Sequence, residues 1–483
     1  MIKKIILIGL GLVLAQCSSN LEGLNVDEKS FVDVPGEPLV SNAQKELIDQ
    51  LVNTNVNNNV FRLFAQQWTE VTYTDESDYD IRTRTIPENH WNFMYQSVLK
   101  DLDEAYKIID AQEIEEVTPE QLATDTAVKT NKLAIIEILR VMTYQVLVDT
   151  FGDVPYTEAL DIENINPAYE DDMAIYTDII SRLNTALGEL DPDNDSYGAQ
   201  DLVYNGDVAS WITFGNSLKL RLGMRIADVN PDMAETLVSE AADNVITTND
   251  QNATLQYLEA TPNTNPLWED LVQSNRKDFV PANTIVDALN TINDPRRPFY
   301  FADPVDGVYL GAPYATPVTY DNYSHLGDMF FEPDLQGDIF DAAEVNFLLA
   351  EAVERGFISG DAETYYDAAI TASMQFWGVA DDDIATYLAQ SSVAYTSAEG
   401  DFRQKIGTQK WIALYNRGFE AWTEYRRLDY PQLEAPSTSE FDAVPKRFTY
   451  PVIEARLNGP GYNAAAAAIG DDELDTPIFW DQN

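Results

Sequence analysis

Cysteine is nearly absent: Cys17 is the only one in 483 residues. A lone thiol excludes an intrachain disulfide and any zinc ribbon. Histidine is almost as scarce, and neither His90 nor His325 has a partner at metal-ligand spacing. Basic residues number 30 against 81 acidic ones, for a formal net charge of −51. No basic stripe exists to offset that charge, which excludes a general nucleic-acid binder. The same charge opposes docking on anionic lipid. The signatures G-x-x-x-x-G-K-[ST], G-x-S-x-G and H-E-x-x-H are all missing. With 81 carboxylates, acid pairs arise by chance, so spacing alone singles out no glycosidase pair.

What is present is a well-stocked core. Hydrophobic residues make up 45% of the chain, with 20 Phe, 25 Tyr and 8 Trp. An unfolded acidic tail has few aromatics, so the acidity reads as a solubilising surface around an ordinary interior.

The N-terminus carries an address. Lys3 and Lys4 precede an apolar run from Ile5 to Ala15. A bilayer span needs about 20 apolar residues, so this run is a signal-peptide core and not a membrane helix. It ends in Leu14-Ala15-Gln16-Cys17, which resembles a bacterial lipobox, although Gln16 stands where a small residue is usual. The expected organisation is a signal peptide over residues 1–16 and lipid on Cys17. A polar tether containing Pro35 and Pro38 follows over 17–40, and then a single helical domain over 41–483.

Helical periodicity dominates that domain. It predicts helices over Ala43–Val52, Trp91–Ile109, Asn131–Thr150, Met173–Leu190, Val208–Ala227, Pro231–Val245, Ala342–Arg355, Ala362–Trp377 and Gln409–Arg427. Thr118 and Pro119 read as an N-cap and first helical residue. Gly152 reads as a helix stop and Pro155 as a bar to resumption. Between Gln251 and Gly337 the pattern becomes irregular and loop-rich, as it does from Trp68 to His90. Long loops of this kind commonly carry function. Within Gln409–Arg427, Trp411, Tyr415, Gly418, Trp422 and Tyr425 fall on one helical face, read as a packed seam in which Gly418 admits another backbone. Arg426 and Arg427, beside Glu424 and Asp429, read as a structural charge cluster. Asp191-Pro-Asp193-Asn-Asp195 opens like a calcium loop, but Ser196 and Leu202 occupy positions that need Gly and Glu. It reads as a polar turn.

Three blocks carry a resemblance: Val148–Leu160 (VDTFGDVPYTEAL), Asp201–Ile226 (DLVYNGDVASWITFGNSLKLRLGMRI) and Ile406–Pro431 (IGTQKWIALYNRGFEAWTEYRRLDYP). With the lipobox and the tail from Arg447 to Asp481, they resemble SusD/RagB-type nutrient-binding lipoproteins of Bacteroidetes, in the SusD-like branch. The resemblance implies a mainly α fold: a tetratricopeptide-like scaffold of helix pairs with long irregular loops and few short strands. It implies a non-enzymatic, lipid-anchored outer-membrane protein facing outward. Such a protein would bind an oligosaccharide, or alternatively a peptide, and pass it to a SusC-like TonB-dependent transporter. A surface glycoside hydrolase is a further alternative, and a structural lid or adhesin another. No cofactor or metal is implied, although an acidic protein could hold Ca²⁺.

The resemblance carries no sugar-contacting residue across, so candidates follow from chemistry. Sugars stack their C–H faces on aromatic rings. Aromatics in loop-like segments are Trp68, Tyr73, Tyr79, Trp91, Trp268, Tyr309, Tyr320 and Tyr323, with Asn275, Arg276 and His325 as possible hydrogen-bonding groups. Replacing Cys17 with alanine is expected to release the chain from the membrane fraction. Retention of that variant in membranes contradicts the anchor.

Overall fold

The computed structural model describes residues 35–114 and 118–482. The signal peptide, Cys17 and most of the tether lie outside the described residues. The first helix, α1 (Gly36–Val52), takes up residues 36–40, which the sequence assigns to the tether. Pro38 is tolerated there because the first turn needs no intrahelical N–H. Gly36 packs so closely on Ile109 and the Ala105 carbonyl that a Cβ would lie 2.7 and 3.0 Å from them.

Helices form over the stretches where the periodicity places them, and three form where it predicts none: Asn283–Thr291 inside the loop-rich region, Asp381–Leu388 and Gly459–Ala468. α2 (Ile86–Asn92) and α3 (Lys100–Asp110) are joined through a π-helical stretch, Phe93–Leu99. α4 (Pro119–Phe151) starts on the Thr118 hydroxyl, which accepts from the Gln121 N–H at 3.1 Å, and stops at Gly152, whose φ is +79°. Then come α5 (Asp172–Glu189), α6 (Val208–Arg225), α7 (Pro231–Ala241), α8 (Asn283–Thr291), α9 (Ala342–Glu354) and α10 (Ala362–Phe376). α11 (Asp381–Leu388), α12 (Phe402–Ala413), α13 (Gly418–Leu428) and α14 (Gly459–Ala468) follow, with shorter helical turns such as Phe61–Phe64 and Glu454–Leu457 between the longer elements. Part of the acidity has a local role. Asp171, Asp207, Asp341, Asp361 and Asp401 are N-caps whose carboxylates accept from the first-turn amides of α5, α6, α9, α10 and α12. A negative cap also complements the positive helix terminus.

Neighbouring helices pair as α4 with α5, α6 with α7 and α9 with α10, the architecture of a tetratricopeptide-like array. Between α9 and α10 the chain turns at Gly356, with φ +77°, and Ala350, Ala352 and Ala369 are buried. Strands are short: β1 (Trp68–Glu70), β2 (Val154–Pro155), β3 (Tyr169–Glu170), β4 (Ala253–Leu255), β5 (Phe279–Pro281), β6 (Phe301–Ala302), β7 (His325–Leu326) and β8 (Gly337–Phe340). They form four antiparallel pairs, β1–β5, β2–β3, β4–β8 and β6–β7. Among the described residues no helix is long and apolar enough to cross a membrane.

The aromatic seam is not one helix. The chain breaks between Ala413 and Gly418, so Trp411 lies on α12, Tyr415 in the turn and Trp422 on α13. The periodicity runs on because both helices bury the same side. Gly418 admits the backbone of Arg62, whose amide nitrogen would stand 2.7 Å from a Cβ there.

The helices are also joined by charge. Arg221 on α6 grips Glu344 on α9 through two bonds of 2.7 and 2.8 Å. One turn on, Arg225 pairs with Glu420 at 2.8 Å, with Glu424, and with Asp149 of α4 at 3.3 Å. Glu424 also holds Lys410 at 2.8 Å and Arg427 at 2.7 Å. Arg427 reaches Glu351 at 2.6 Å, and Arg417 reaches Glu344 at 2.7 Å. Five cations (Arg221, Arg225, Lys410, Arg417, Arg427) thus meet five carboxylates (Asp149, Glu344, Glu351, Glu420, Glu424), and all ten are buried. Arg426 differs from its neighbour. It lies over Trp422, 3.5 Å from the ring centroid, while donating to the Asp149 and Lys446 carbonyls. Burial lowers its pKa to about 9. The tail seals the far end of α4: Arg447 donates to the Phe151 carbonyl at 2.8 Å, and the Trp480 indole N–H donates to Asp149 at 2.8 Å.

Removing one partner from such a network leaves an uncompensated buried charge. Glu424→Gln is expected to cost about 3–5 kcal/mol of stability, measured by denaturant unfolding; a loss under about 1 kcal/mol would show that the network is not closed. The pH dependence has two parts. Burial raises Asp153, Asp270, Asp338 and Asp367 to about 6 and Asp172 to about 7, so the folded state takes up protons before the unfolded state does. Stability therefore rises as pH falls through that window. The pKa values of Glu344, Glu351 and Glu424 are lowered, since adjacent arginines and Lys410 outweigh burial. Their contribution is intact above the unfolded value of about 4.5 and is lost below it. The thermal midpoint should rise from pH 8 to a maximum near pH ~5 and drop on further acidification. A monotonic fall from pH 8 to 5 contradicts this assignment.

Candidate functional site

The loop-rich regions meet on the β1–β5 pair, in which Trp68 faces Pro281 and Glu70 faces Phe279. Beyond β1 the chain stays pinned. One oxygen of the Asp278 carboxylate accepts from the successive N–H groups of Val71, Thr72 and Tyr73 at 3.0, 2.7 and 3.4 Å. The other oxygen takes Arg276 at 2.7 Å, and Arg276 also reaches Glu70 at 3.2 Å. Burial, then Glu76 and Asp278, push the Glu70 carboxyl up to about 9 in spite of Arg276. Glu70 and Asp278 are 0% and 2% exposed, so neither is open to a ligand. Arg276 belongs to this base, and Asn275 forms the turn before it, with φ +55°.

A third segment lies alongside. The Val318 N–H donates to the Val71 carbonyl at 2.9 Å, and Ala282 forms a parallel bridge with Ala312. Val71, Val280 and Ala312 make a small apolar cluster against which Tyr320 and Tyr323 pack. The Tyr320 ring stacks on His325, centroids 4.2 Å apart and planes 19° apart. His325 is held from behind by Asp303 at 2.7 Å, and the Lys277 ammonium lies 5.8 Å from the Tyr320 ring centroid. Burial, followed by Asp303 and Asp321, raises the Tyr320 pKa, so the phenol is a hydrogen-bond donor at neutral pH. Tyr73, two residues beyond Val71, is 68% exposed. The His325 imidazole backs Tyr320, with its Nδ1 on Asp303 and its Nε2 buried. The result is a shallow face with an exposed ring, two half-buried rings, an ammonium and a carboxylate. It can stack on an apolar face and bond hydroxyls around it.

The other candidates sit elsewhere. Trp68 and Tyr79 are fully buried. Trp68 packs edge-on to Phe330, 5.3 Å away, and the Tyr79 hydroxyl accepts from Gln66 at 2.9 Å. Trp91 is 8% exposed and packs edge-on to Phe151. It lines a separate groove with Pro155, Ile162, Ile165 and Leu457. Tyr309 is half-buried against Phe301, and Trp268 is half-buried at the end of a short turn of helix, Pro266–Trp268, apart from the Tyr320 cluster. His90 is core: burial takes its pKa down to about 3, and Gln50 meets its Nδ1 at 2.9 Å. The residues missed by sequence reasoning are Asp278, Lys277 and Asp303. Acids and lysines in loops give no local signal until strand pairing places them together. The calcium-like stretch is a polar turn in which Asn131 donates to the carbonyls of Asp191, Asn194 and Asp195.

The SusD-like family model described as "starch-binding associating with outer membrane" matches residues 28–451. No curated protein matches by sequence. Solved structures match over almost the whole chain. A chitin-binding SusD homolog from Flavobacterium johnsoniae is 24% identical, covering 92% of this chain and 98% of its own, with a TM-score of 0.75. A SusD homolog from Bacteroides uniformis is 24% identical over 92% and 99%, with a TM-score of 0.76. One from Parabacteroides distasonis is 22% identical over 93% and 98%, with a TM-score of 0.78.

Proposed function

The chain belongs to the SusD-like family, and on that premise we propose that it captures an oligosaccharide at the outer membrane without cleaving it and delivers it to a SusC-like TonB-dependent transporter. Lipid on Cys17 would hold it there, facing outward. The observation that carries the reading is the stacked Tyr320–His325 pair on the loop face, with Tyr73 exposed and Lys277 and Asp303 beside it. Flat rings bordered by hydroxyl-bonding groups suit a sugar chain better than a charged or fully apolar ligand. Holding captured nutrient beside the pore raises its local concentration, which matters most when nutrient is scarce.

The family description names starch and the Flavobacterium johnsoniae relative binds chitin, so malto- and chito-oligosaccharides are the first probes. Calorimetry should show saturable binding, and chromatography of the sugar after incubation should show no shortening. Tyr73→Ala and Tyr320→Ala should each weaken affinity about 3- to 10-fold, as expected for loss of one stacking ring. Unchanged affinity in both variants removes the loop face as the site. A peptide that binds where no glycan does would replace the ligand class and keep the capture role.

A further inference from the structure

The surface carries a second break in its acidity. Among the described residues ten large hydrophobic side chains are exposed, and five of them lie on two adjoining segments: Ile162 and Ile165 on one, Val452, Ile453 and Leu457 on the other. Ile162 and Ile165 are 85% and 83% exposed, and Leu457 is 65% exposed. The segments are fastened together. Asn458 donates to the Pro167 carbonyl at 2.7 Å, and the Tyr169 hydroxyl donates to Glu454 at 2.8 Å. Between them runs a groove of about 400 Å³ floored by Trp91 and Pro155 and walled by Ile162, Ile165 and Leu457. None of these residues belongs to the Tyr320 face. Contiguous exposed aliphatics on a soluble surface mark a contact with a partner.

We propose that this groove is the docking surface for the transporter, whose matching face is apolar at its centre and basic at its rim. This rests on the delivery role above and adds the place of contact. The occupant follows from charge. Asp161 and Glu163 flank Ile162 in sequence and are exposed; on the facing wall Arg456 is the exposed cation, and Lys100 at the groove's end is held by Glu104 at 2.7 Å. A second copy would bring a like acidic rim and a formal charge of −51 against its equal. An anionic membrane surface would be repelled in the same way. A protein with lysine and arginine around an apolar ridge meets no such penalty. The walls are pinned by the hydrogen bonds just described, so the groove is preformed and a ridge can enter without reordering it.

The test uses the tagged full chain purified from its native outer membrane in mild detergent, with the retained barrel identified by mass spectrometry. Wild type should retain a TonB-dependent transporter. Ile162→Asp with Ile165→Asp should reduce that retention at least tenfold, and Leu457→Asp on the facing wall should do the same. Thermal midpoint and oligosaccharide affinity should be unchanged in these variants. Retention by the aspartate variants equal to wild type overturns the docking surface and leaves the delivery role standing. A wild-type chain that retains no transporter overturns both. Self-association in sedimentation, abolished by the aspartates, would assign the groove to a second copy. Flotation of the Cys17→Ala chain on phosphatidylethanolamine–phosphatidylglycerol vesicles, abolished by the same changes, would assign it to lipid. Either result overturns the proposal.

Discussion

Ten buried charges fix how the helices of this protein can be assembled. Each arginine or carboxylate of the network would be costly if left alone out of water, because desolvation of a single ion amounts to several kcal/mol. The residues come from α4, α6, α9, α12, α13 and the turn before α13, so every one of those helices must be in register at once. Apolar burial supplies most of the favourable free energy. The network supplies a reason for one arrangement over its near neighbours, since a rotation of α6 by half a turn would carry Arg221 and Arg225 away from their carboxylates together. The three sequence blocks that resemble the family contribute Asp149, Arg221, Arg225, Lys410, Arg417, Glu420, Glu424 and Arg427 to it. The blocks that carry the resemblance thus belong to the scaffold, not to the Tyr320 face.

Much of that scaffold was legible in the sequence because its signals are local. Thr118-Pro119 marks a helix start, Gly152 a stop, and alanines on α9 and α10 a close pair. The reading failed where a tertiary contact intervened. Trp411 to Tyr425 keeps helical spacing across a turn, and nothing in that spacing marks the break between Ala413 and Gly418. Network partners such as Glu344 and Arg221 are 123 residues apart, and nothing in either segment names the other.

The aromatic candidates show a different limit. Trp68, Tyr79 and Trp91 read as loop aromatics, yet they are buried: Trp68 falls on β1, Trp91 on α2, and Tyr79 fills the underside of the loop between them. Tyr73 and Tyr320 have the same local context and lie at the surface or half-buried. What separates the two groups is the pairing of β1 with β5 and the Asp278 carboxylate that turns the chain after Val71. Function is read from two places where the acidic surface is interrupted. One is aromatic and polar and suits a sugar. The other is aliphatic and grooved and suits a protein.

The central claim is that a charge-locked helical frame presents a loop-borne capture face. Hydrogen exchange followed by mass spectrometry, with and without a bound oligosaccharide, tests it most directly. The account predicts that amides of α6, α9 and α13 exchange only on global unfolding. It also predicts that ligand slows exchange in residues 71–79 and 318–326 while leaving the helices unchanged. Helices that open before the loops, or ligand protection centred outside those two segments, would contradict it.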